Sequence, residues 1–390
     1  MNRLQSKALR FVLLVGVMSF FADFTYEGAR AVLGPYLALL GASGAAVGVA
    51  TGFGEFVGYG VRLLSGRAAD KTRQYWPIAI AGYLVQMAAV PALALARSWP
   101  AAAALLVLER AGRAIRNPPR DVMLSHAGHE MGGYGWTFGL HEALDQFGAL
   151  VGPLVVAVVL ARHGEFRTAF AVLAAPAAIT LAILALARIL YPTPKDLETA
   201  SPVRTHGLPR AFWLYMAAAS LVAAGFADFP LVAFHLAKAG VASETAIPIF
   251  YSVAMGVGGL GSLVFGWLFD RYGIVVLVPL TVASALFAPL AFLGGFWAAL
   301  AGAALWGLGT GVHESIIPAA VAPMVASERR ASAYGVFTAA YGFSWFLGSA
   351  IIGVLYDASA RAASVFCIAL ELAAIPFFLL VWRLTPLPAP

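Results

Sequence analysis

Long apolar segments separated by short polar ones run through the whole sequence. Each apolar segment is about 20 to 28 residues long, which lets a helix cross a bilayer and is too long for the strands of a membrane barrel. The pattern predicts an all-α membrane protein with twelve transmembrane helices. The predicted spans are residues 9–38, 44–65, 76–97, 99–123, 133–161, 167–190, 210–238, 243–268, 274–296, 298–324, 332–356 and 361–384.

Composition excludes an ordinary soluble domain, because 61% of the residues are hydrophobic, 11% are charged and the mean hydropathy is +0.84. The net charge of +6 lies in loops, so it describes membrane topology and does not indicate nucleic-acid binding. A single cysteine, Cys367, excludes intramolecular disulfides and cysteine-based metal sites, and we expect no cofactor. The N-terminus resembles a signal sequence, but eleven further spans follow it, so we interpret it as the first helix.

Basic residues concentrate in alternate loops, and these loops are predicted to face the cytoplasm. They are Arg67, Lys71, Arg73, Arg113, Arg116, Arg120, Lys195, Arg204, Arg210, Arg271, Arg329, Arg330 and Arg383. Both termini are then cytoplasmic, and we expect a bacterial-type inner membrane. The polar, proline-containing segment 191–208 predicts a cytoplasmic linker between an N-terminal six-helix bundle, residues 1–190, and a C-terminal one, residues 209–390.

The two predicted bundles share sequence features, which indicates an internal duplication. A Gly-x-x-x-Asp-basic run closes the second and eighth spans, and Phe-Ala-Asp-Phe occurs in the first and seventh. The matched pairs are Gly66 and Gly266, Asp70 and Asp270, Lys71 and Arg271, Asp23 and Asp228, Gly148 and Gly348, and Pro118 and Pro318. Parallel six-helix repeats predict two pseudo-symmetric bundles with the substrate path at their interface.

Twelve spans, a six-plus-six duplication, a cytoplasmic central linker and two Gly-x-x-x-Asp-basic loops resemble the major facilitator superfamily of secondary transporters. The resemblance covers nearly the whole chain and implies a non-enzymatic carrier, sufficient as a monomer, whose bundles rock to give alternating access. It assigns gating roles to Gly66, Asp70, Lys71, Gly266, Asp270 and Arg271. Gly148, Gly152 and Pro153 are similar to the motif of proton-coupled antiporters, which implies a gating role and proton-driven export. Arg73 and Gln74 depart from the family, which has glycine and a basic residue there.

Ionisable residues near the middle of spans indicate which helices line water, since each costs about 2.5–3.5 kcal/mol to insert and rarely faces lipid. They fall on spans one, two, four, five, seven and ten, while spans three, six and nine have none. The residues are Asp23, Glu27, Glu55, Glu109, Arg110, His141, Glu142, Asp145, Asp228, His313 and Glu314. Glu371, in span twelve, is an exception that the sequence does not explain.

Two groups of these residues are candidates for proton coupling. Asp23, Glu27 and Arg30 lie at i, i+4 and i+7 on one helical face. They form either a self-neutralised packing stripe or a proton site in which Arg30 tunes Asp23. His141 and Asp145 are one turn apart on one face, and either can exchange protons. The predicted proton-coupling residues are Asp23, Glu27, Glu142 and Asp145.

The fourth span carries the densest group of charges, and its arginines have two interpretations. Arg110 or Arg113 pairs with a carboxylate on a neighbouring helix, or it binds an anionic substrate. The candidate carboxylates are Glu55, Glu142 and Asp145. Pro118 and Pro119 are expected to stop or kink the helix at its cytoplasmic end.

Aromatic residues of span eleven align with polar residues of span five: Tyr341 matches His141, and Trp345 matches Asp145. The aromatic pair either faces an amphipathic substrate or only packs together. The predicted substrate-binding residues are Glu55, Arg110, Arg113, His141, Asp228, His313, Glu314, Tyr341 and Trp345.

The main functional hypothesis is proton-coupled export of a small organic solute by alternating access. The alternatives are a divalent-metal exporter that uses the membrane carboxylates and histidines, and an organic-anion carrier that uses the arginines of span four. The sequence has no His-x-x-x-His pair to support metal and no nucleotide-binding loop to support an enzyme. The expected partners are therefore the solute, protons and the lipid bilayer.

Overall fold

The computed structural model describes residues 3–130, 134–192, 208–321, 324–325 and 330–385. Fifteen α-helices within these ranges form twelve membrane-crossing units in two six-helix bundles, and the same ranges contain no strand. Nine of the described helical segments are long and apolar enough to cross a membrane. This confirms the predicted all-α membrane protein.

The N-terminal bundle consists of seven α-helices that make six crossings. The third helix is extended by a 3₁₀ turn, Leu93–Leu95, and the last two helices share the sixth crossing. The helices are α1 (Arg3–Leu39), α2 (Gly44–Thr72), α3 (Tyr75–Ala92), α4 (Trp99–Glu130), α5 (Tyr134–His163), α6 (Phe166–Val172) and α7 (Ala174–Leu190). α1 is central, because it packs along α5 and also contacts α4 and α7.

The C-terminal bundle has eight α-helices in six crossings, with a 3₁₀ turn, Gly273–Val276, before its fourth helix. The helices are α8 (Arg210–Gly225), α9 (Phe229–Lys238), α10 (Ile247–Tyr272), α11 (Leu277–Ala285), α12 (Phe287–Leu293), α13 (Phe296–Ala319), α14 (Arg330–Ala358) and α15 (Ala360–Leu384). Its first crossing is broken between α8 and α9, where Asp228 caps α9. Glu371 is fully buried beside Gly225 at this break, so it does not face lipid.

α4 continues through its two prolines to Glu130, so of the two expected effects, a stop or a kink, the stop is wrong. Pro118 lacks the N–H that would bond to the carbonyl of Ala114, one helical turn earlier. Ser65 of α2 donates its hydroxyl to that carbonyl at 2.8 Å. A neighbouring helix therefore satisfies the backbone group that the proline leaves, as is usual for prolines inside membrane helices.

Matched glycines occupy matched positions in the two bundles, as the duplication predicts. A Cβ on Gly148 of α5 would overlap the carbonyl oxygen of Phe20 in α1, and a Cβ on Gly348 of α14 would overlap that of Ala224 in α8. Each glycine therefore permits a close approach of two helices within one bundle.

Three helix pairs make the most extensive contacts between the bundles: α2 with α14, α1 with α9, and α5 with α10. The terminus side is the side on which α1 begins and α15 ends, and the far side is the opposite one. On the far side the backbones touch, because a Cβ on Gly34 of α1 would overlap the carbonyl of Pro230, and a Cβ on Gly48 of α2 would overlap that of Ser349. The far side is closed.

The bundles separate toward the terminus side. The ring of Tyr59 in α2 lies against Gly342 and Tyr341 of α14. Beyond this point, a Cβ on Gly266 of α10 or Gly335 of α14 would meet no atom within 4 Å. The structure is therefore open toward the terminus side.

Candidate functional site

A cavity of about 620 Å³ lies between the bundles where they separate. Small-molecule sites usually measure about 300–1,000 Å³. α1, α2, α4 and α5 form one wall, and α10 and α13 form the other. The ionisable residues that line it are Asp23, Tyr26, Glu27, Arg30, Glu55, Tyr59, Arg62, Arg110, Arg113, Arg116, Arg120, Asp121, His141 and Asp145.

Six ionisable residues form a central charge cluster at the far-side end of the cavity. They are Glu27, Arg30, Glu55, Glu109, Arg110 and Asp228. The shortest contacts join Arg30 to Asp228 at 2.5 Å and Arg110 to Glu55 at 2.9 Å. Arg110 also lies 3.8 Å from Asp228 and 3.6 Å from Glu109. Arg110 thus pairs with Glu55, as one of the two sequence interpretations expects.

The central charge cluster ties the two bundles together. Asp228 belongs to the C-terminal bundle and is almost fully buried, whereas Arg30 and Arg110 belong to the N-terminal bundle. Asp228 also accepts a hydrogen bond from the backbone N–H of Phe229 at 2.9 Å, which fixes it at the start of α9. Tyr251 of α10 makes a second link, because its hydroxyl donates a hydrogen bond to Glu27 of α1.

Gln86 of α3 connects this cluster to the cavity wall, and the sequence analysis missed it. Its side-chain N–H₂ donates to Glu109 at 2.8 Å, and its oxygen accepts from Arg116 Nε at 2.6 Å. Gln86 is fully buried. The sequence does contain a signal for Gln86: it is a lone amide in an otherwise apolar span, and a buried amide needs hydrogen-bond partners.

Arg113, Arg116 and Arg120 make up the α4 arginine row, spaced at i, i+3 and i+7 along one helical face. Arg116 donates to the hydroxyl of Tyr83 at 3.0 Å and lies over the ring of that tyrosine. The Arg113 guanidinium lies 4.5 Å above the ring of Tyr26. Arg113 and Arg116 are therefore held in the wall of the cavity by neutral or aromatic groups.

Carboxylates face this row from three helices. Arg116 lies 3.5 Å from Asp23 of α1, and Arg120 lies 3.8 Å from Asp145 of α5. Arg120 has a closer contact, of 2.8 Å, with its chain neighbour Asp121 on α4. The Arg116–Asp23 and Arg120–Asp145 contacts are longer than the two shortest inter-helix contacts of the central charge cluster, Arg30–Asp228 and Arg110–Glu55.

The expectation that Arg30 tunes Asp23 is wrong. Asp23 instead lies near Arg116 and accepts a hydrogen bond from the hydroxyl of Tyr26 at 3.3 Å. Seven residues of helix separate Asp23 from Arg30, a rise of about 10 Å. Arg30 therefore reaches the central charge cluster, where it contacts Glu27 at 3.8 Å.

His141 and Asp145 lie together on the cavity wall, as their one-turn spacing predicts. His141 Nδ1 is 3.4 Å from an Asp145 oxygen, and Nε2 is 2.9 Å from the hydroxyl of Ser19. Both residues are buried. The side chains of three further candidates, Glu142, His313 and Glu314, lie outside the described part of the protein.

Tyr341 and Trp345 do not line the cavity. Tyr341 stacks on Phe337, with ring centroids 5.5 Å apart, and Trp345 lies edge-on to Phe226 at 5.7 Å. Both are buried, Trp345 among aromatic rings of the C-terminal bundle and Tyr341 between Phe337 and the ring of Tyr59 from α2. Their position favours the packing interpretation.

The loop residues with predicted gating roles lie at the terminus-side ends of α2 and α10. Arg271 lies over the rings of Trp267 and Tyr272, and Lys71 is exposed, while the side chains of Asp70 and Asp270 lie outside the described part. A Cβ on Gly66 would come no closer than 3.7 Å to another atom, and one on Gly266 would meet none within 4 Å. Those two glycines are therefore not required for close packing in this state.

The residue after α2 that departs from the family pattern, Arg73, has an unusual backbone conformation. Arg73 has a φ of 55°, in the left-handed region that favours glycine. Its counterpart after α10, Gly273, also has a positive φ, of 67°. Both copies thus have a positive φ at this position, but ψ is 19° at Arg73 and −154° at Gly273, so the backbone takes different directions after α2 and α10.

The glycine-proline motif of α5 packs against α1. A Cβ on Gly152 would overlap the carbonyl of Phe24, and Pro153 follows inside the helix. Together with Gly148, this glycine allows α5 to lie close along α1, the helix that carries Asp23 and Glu27.

A far-side latch, made by Asp357 with the first turn of α2, was also missed by the sequence analysis. The Asp357 carboxylate of α14 accepts hydrogen bonds from the backbone N–H groups of Gly44 and Ala45, both at 2.8 Å. A carboxylate is favoured at a helix N-terminus, where backbone N–H groups lack helical partners. The latch therefore joins the two bundles on the far side.

Replacing Asp357 with alanine is expected to open the far side more often. The change removes two hydrogen bonds to a charged group, so a cysteine placed at buried Ser349 should react at least about tenfold faster with a water-soluble maleimide. The matched control is Glu244→Ala, which removes an exposed far-side carboxylate. Equal labelling rates in the two variants would show that the latch does not hold the closed state.

A family profile and two related sequences assign the chain to the same family. The profile of the Major Facilitator Superfamily matches residues 13–313. An uncharacterized protein of Mycobacterium tuberculosis is 42% identical over 376 residues, covering 94% of this chain and 92% of its own. An uncharacterized MFS-type transporter of Methanocaldococcus jannaschii is 25% identical over 363 residues, covering 89% of each chain.

Solved structures with the same fold are also transporters. The nucleoside transporter NupG aligns with a TM-score of 0.73 at 16% identity, covering 97% of this chain and all of its own. A peptide transporter, POT, in complex with sulfate aligns with a TM-score of 0.76 at 16% identity, covering 99% of this chain and 98% of its own. At this level of identity the likeness establishes the fold.

Proposed function

Because the chain belongs to the Major Facilitator Superfamily, we propose that it exports a small organic solute in exchange for protons by alternating access. The family and the structural neighbours identify a membrane transporter rather than an enzyme. The observation that carries the proposal is the cavity between the bundles, which is lined by ionisable side chains and closed on the far side.

We assign the terminus side to the cytoplasm of a bacterial-type inner membrane, because basic residues such as Lys71 and Arg271 concentrate there. The structure then represents an inward-open state, and both termini are cytoplasmic. The moving units are residues 1–190 and 209–390, joined by the linker 191–208. The antiporter-like motif of α5 supports export as the direction.

Outward opening requires α1 to leave α9 and α2 to leave α14. That movement breaks the Arg30–Asp228 pair and the hydrogen bond from Tyr251 to Glu27, because both join the two bundles. Buried charges that lose their partners cost several kcal/mol. The transition therefore needs a proton or a solute that compensates for the lost contacts.

The composition of the central charge cluster supports proton coupling. It holds four carboxyl groups, from Glu27, Glu55, Glu109 and Asp228, against the guanidinium groups of Arg30 and Arg110. Full ionisation would leave two uncompensated negative charges in a buried site, and protonation removes that cost. Glu27 is our choice for the coupling residue, because its link across the bundle interface is to a neutral tyrosine.

Replacing Glu27 with glutamine is expected to uncouple transport from protons. Glutamine imitates the protonated carboxyl group, so solute flux driven by a pH gradient should fall at least about tenfold, while solute exchange without a gradient should be retained. Flux and exchange can both be measured in proteoliposomes. The matched control, Tyr251→Phe, keeps the carboxyl group and removes its hydroxyl partner, so it should stay coupled. Gradient-driven flux at the wild-type level in Glu27→Gln would remove Glu27 from the coupling mechanism.

The organic-anion carrier is the second candidate, and the α4 arginine row in the cavity wall favours it. The divalent-metal alternative gains no such support, since no three His, Cys, Asp or Glu side chains form a metal-binding group within the described ranges.

The proposed function is tested by proton movement in proteoliposomes that contain the purified protein and a pH-sensitive dye. Organic compounds of both charges, neutral compounds and divalent metals are added outside, one at a time. A compound-dependent pH change inside the liposomes is expected for an organic compound. A response to metals alone, or to no compound, would contradict proton-coupled transport of an organic solute.

A further inference from the structure

Glu371 is a buried carboxyl residue of the C-terminal bundle that takes no part in the central charge cluster. It lies near the midpoint of α15. Its side chain is fully buried, and neither carboxyl oxygen has a hydrogen-bond partner. A carboxylate without a partner is very costly inside a protein, and an ionised group at membrane depth is costly for the same reason. The ionised form of Glu371 is therefore strongly disfavoured at this position.

Within the described residues, the helices that pack on α15 bring no opposite charge to Glu371. They are α8, α11, α12 and α14, together with the 3₁₀ turn Gly273–Val276. α11, α12 and the turn have no charged residue, and the other charges of α8, α14 and α15 lie near the helix ends, at Arg210, Arg330, Asp357, Arg361 and Arg383. The titratable groups of these helices that are neutral at pH 7 are Tyr215, Tyr334, Tyr341, Tyr356 and Cys367.

Glu371 lies against the end of α8, where the first crossing of the C-terminal bundle is broken. A Cβ on Gly225, the last residue of α8, would lie 3.2 Å from Glu371 Cγ. The last carbonyl groups of a helix have no intrahelical N–H partner and form the negative end of its dipole. A carboxylate only accepts hydrogen bonds, whereas the O–H of a carboxylic acid donates one. The end of α8 therefore favours the protonated form of Glu371.

The other groups around the break are neutral. The indole N–H of Trp306 donates to the carbonyl of Ala227 at 2.8 Å. The hydroxyl of Ser284 on α11 faces the carboxyl group of Glu371. Ser284 is buried and has no hydrogen-bond partner in this state, so its oxygen can accept the proton of a carboxylic acid. These surroundings suit an uncharged acid better than an anion.

Two carboxyl groups thus meet opposite surroundings at one helix break. Asp228 caps the N-terminus of α9 and pairs with Arg30 at 2.5 Å, so both contacts favour the anion. Glu371 meets the C-terminus of α8 and no cation among the described residues, so its surroundings favour the neutral acid. Environments that differ in this way give two carboxyl groups different protonation states at the same pH.

We propose that Glu371 is a proton-binding site of the C-terminal bundle, occupied by one proton at neutral pH, and that this proton lets α15 pack against the break between α8 and α9. The proposal goes beyond the proposed function, in which the coupling proton binds Glu27 of the N-terminal bundle. Its test uses neither a gradient nor a solute, so it succeeds or fails independently of transport.

Infrared spectroscopy of the purified full-length protein in detergent tests the protonation state. A protonated carboxyl group and a carboxylate absorb at separate frequencies, so a glutamine variant shows which form the wild type holds. At neutral pH, Glu371→Gln is expected to lose one protonated carboxyl band. The matched control, Glu244→Gln, removes an exposed glutamate and should lose a carboxylate band. Loss of a carboxylate band in Glu371→Gln would overturn the proposal. Glu371→Leu gives the same comparison if Glu371→Gln does not fold.

The same spectra distinguish a proton from a sodium ion as the bound ligand. The wild-type protein is measured in sodium chloride and in choline chloride at equal ionic strength and pH. The protonated carboxyl band that Glu371→Gln lacks should be the same in both salts. A band that is present in choline chloride and lost in sodium chloride would show that the site binds sodium, which would overturn the proposal.

The dependence of stability on pH tests the structural role of this proton. An exposed glutamate has a pKa of about 4.3, so the unfolded chain releases the proton well below neutral pH while the folded protein keeps it. Because folding then takes up one proton, the unfolding equilibrium constant of the wild type should rise about tenfold per pH unit between about pH 5 and pH 7, relative to that of Glu371→Gln. Unfolding in mixed detergent micelles measures both constants. Parallel pH curves for the two proteins would overturn the structural role.

Discussion

Replacing Asp228 with asparagine is expected to abolish transport, with counterflow in proteoliposomes falling about 100-fold or more. Asp228 is the C-terminal bundle's carboxylate in the central charge cluster, and it contacts Arg30 at 2.5 Å in a fully buried site. Removing one partner of a buried ion pair costs about 3–5 kcal/mol, and Arg30 would keep only its longer contacts, with Glu55 at 3.7 Å and Glu27 at 3.8 Å. The variant therefore loses the shortest ion pair that ties the two bundles together.

Two further variants show whether the loss comes from the pair itself. The double variant Arg30→Gln with Asp228→Asn removes both charges, so its loss of melting temperature should be smaller than the sum of the losses in the two single variants. Glu244→Gln removes an exposed carboxylate of the same bundle and should transport normally. Counterflow at the wild-type level in Asp228→Asn would contradict a role for this pair in the transport cycle.

Replacing Gly34 with leucine is expected to drive the protein out of the state seen here. A Cβ at Gly34 would overlap the carbonyl oxygen of Pro230 and lie 2.7 Å from the backbone nitrogen of Phe234, both in the opposite bundle. Overpacking of this kind typically costs about 1–3 kcal/mol, and here the strain is relieved when the far side opens. A cysteine at Ser349 should then be labelled at least about tenfold faster, since each 1.4 kcal/mol is a factor of ten.

Other glycines supply the controls for this prediction. Gly60→Leu places a side chain where no atom lies within 4 Å, so it should change neither labelling nor stability. Gly348→Leu would collide with the Ala224 carbonyl inside one bundle, which should lower the melting temperature without favouring either state. Slow labelling of a folded Gly34→Leu protein would show that the α1–α9 contact does not control the far side.

The sequence was enough to predict that α1, α2, α4 and α5 carry the site, because a charge in lipid is costly whatever the fold. Asp23, Glu55 and Arg110 line the cavity for that reason. The sequence did not predict α10, whose described lining residues, Met255 and Ser262, are uncharged. Local spacing was enough for His141 and Asp145, because helix geometry alone sets a one-turn contact. The matched glycines Gly148 and Gly348 could also be predicted, because each repeat needs the same close contact between two helices.

Contacts across the bundle interface could not be predicted from the sequence. Asp228 lacks charged partners on its own helix, and its partners Arg30 and Arg110 come from distant parts of the chain. Asp357 lies near the end of α14, where an acidic side chain is not buried in lipid, so its charge gives no signal of a functional role in the sequence. Pairing of this kind depends on how the bundles meet, which neither periodicity nor composition encodes.

The central claim is that the two bundles rock, so that one side of the cavity closes as the other opens. Distances between pairs of spin labels, measured by pulsed electron paramagnetic resonance, test it most directly. The far-side pair is Leu39→Cys with Glu244→Cys, and the terminus-side pair is Gln74→Cys with Tyr272→Cys, all at exposed positions. The native Cys367 is buried and should not be labelled.

Wild-type protein and Gly34→Leu are compared with each pair of labels. The account predicts opposite changes in the variant, in which the far-side distance lengthens and the terminus-side distance shortens. Distances that both lengthen, or a far-side distance that changes while the terminus-side distance does not, would contradict alternating access by rocking of the two bundles.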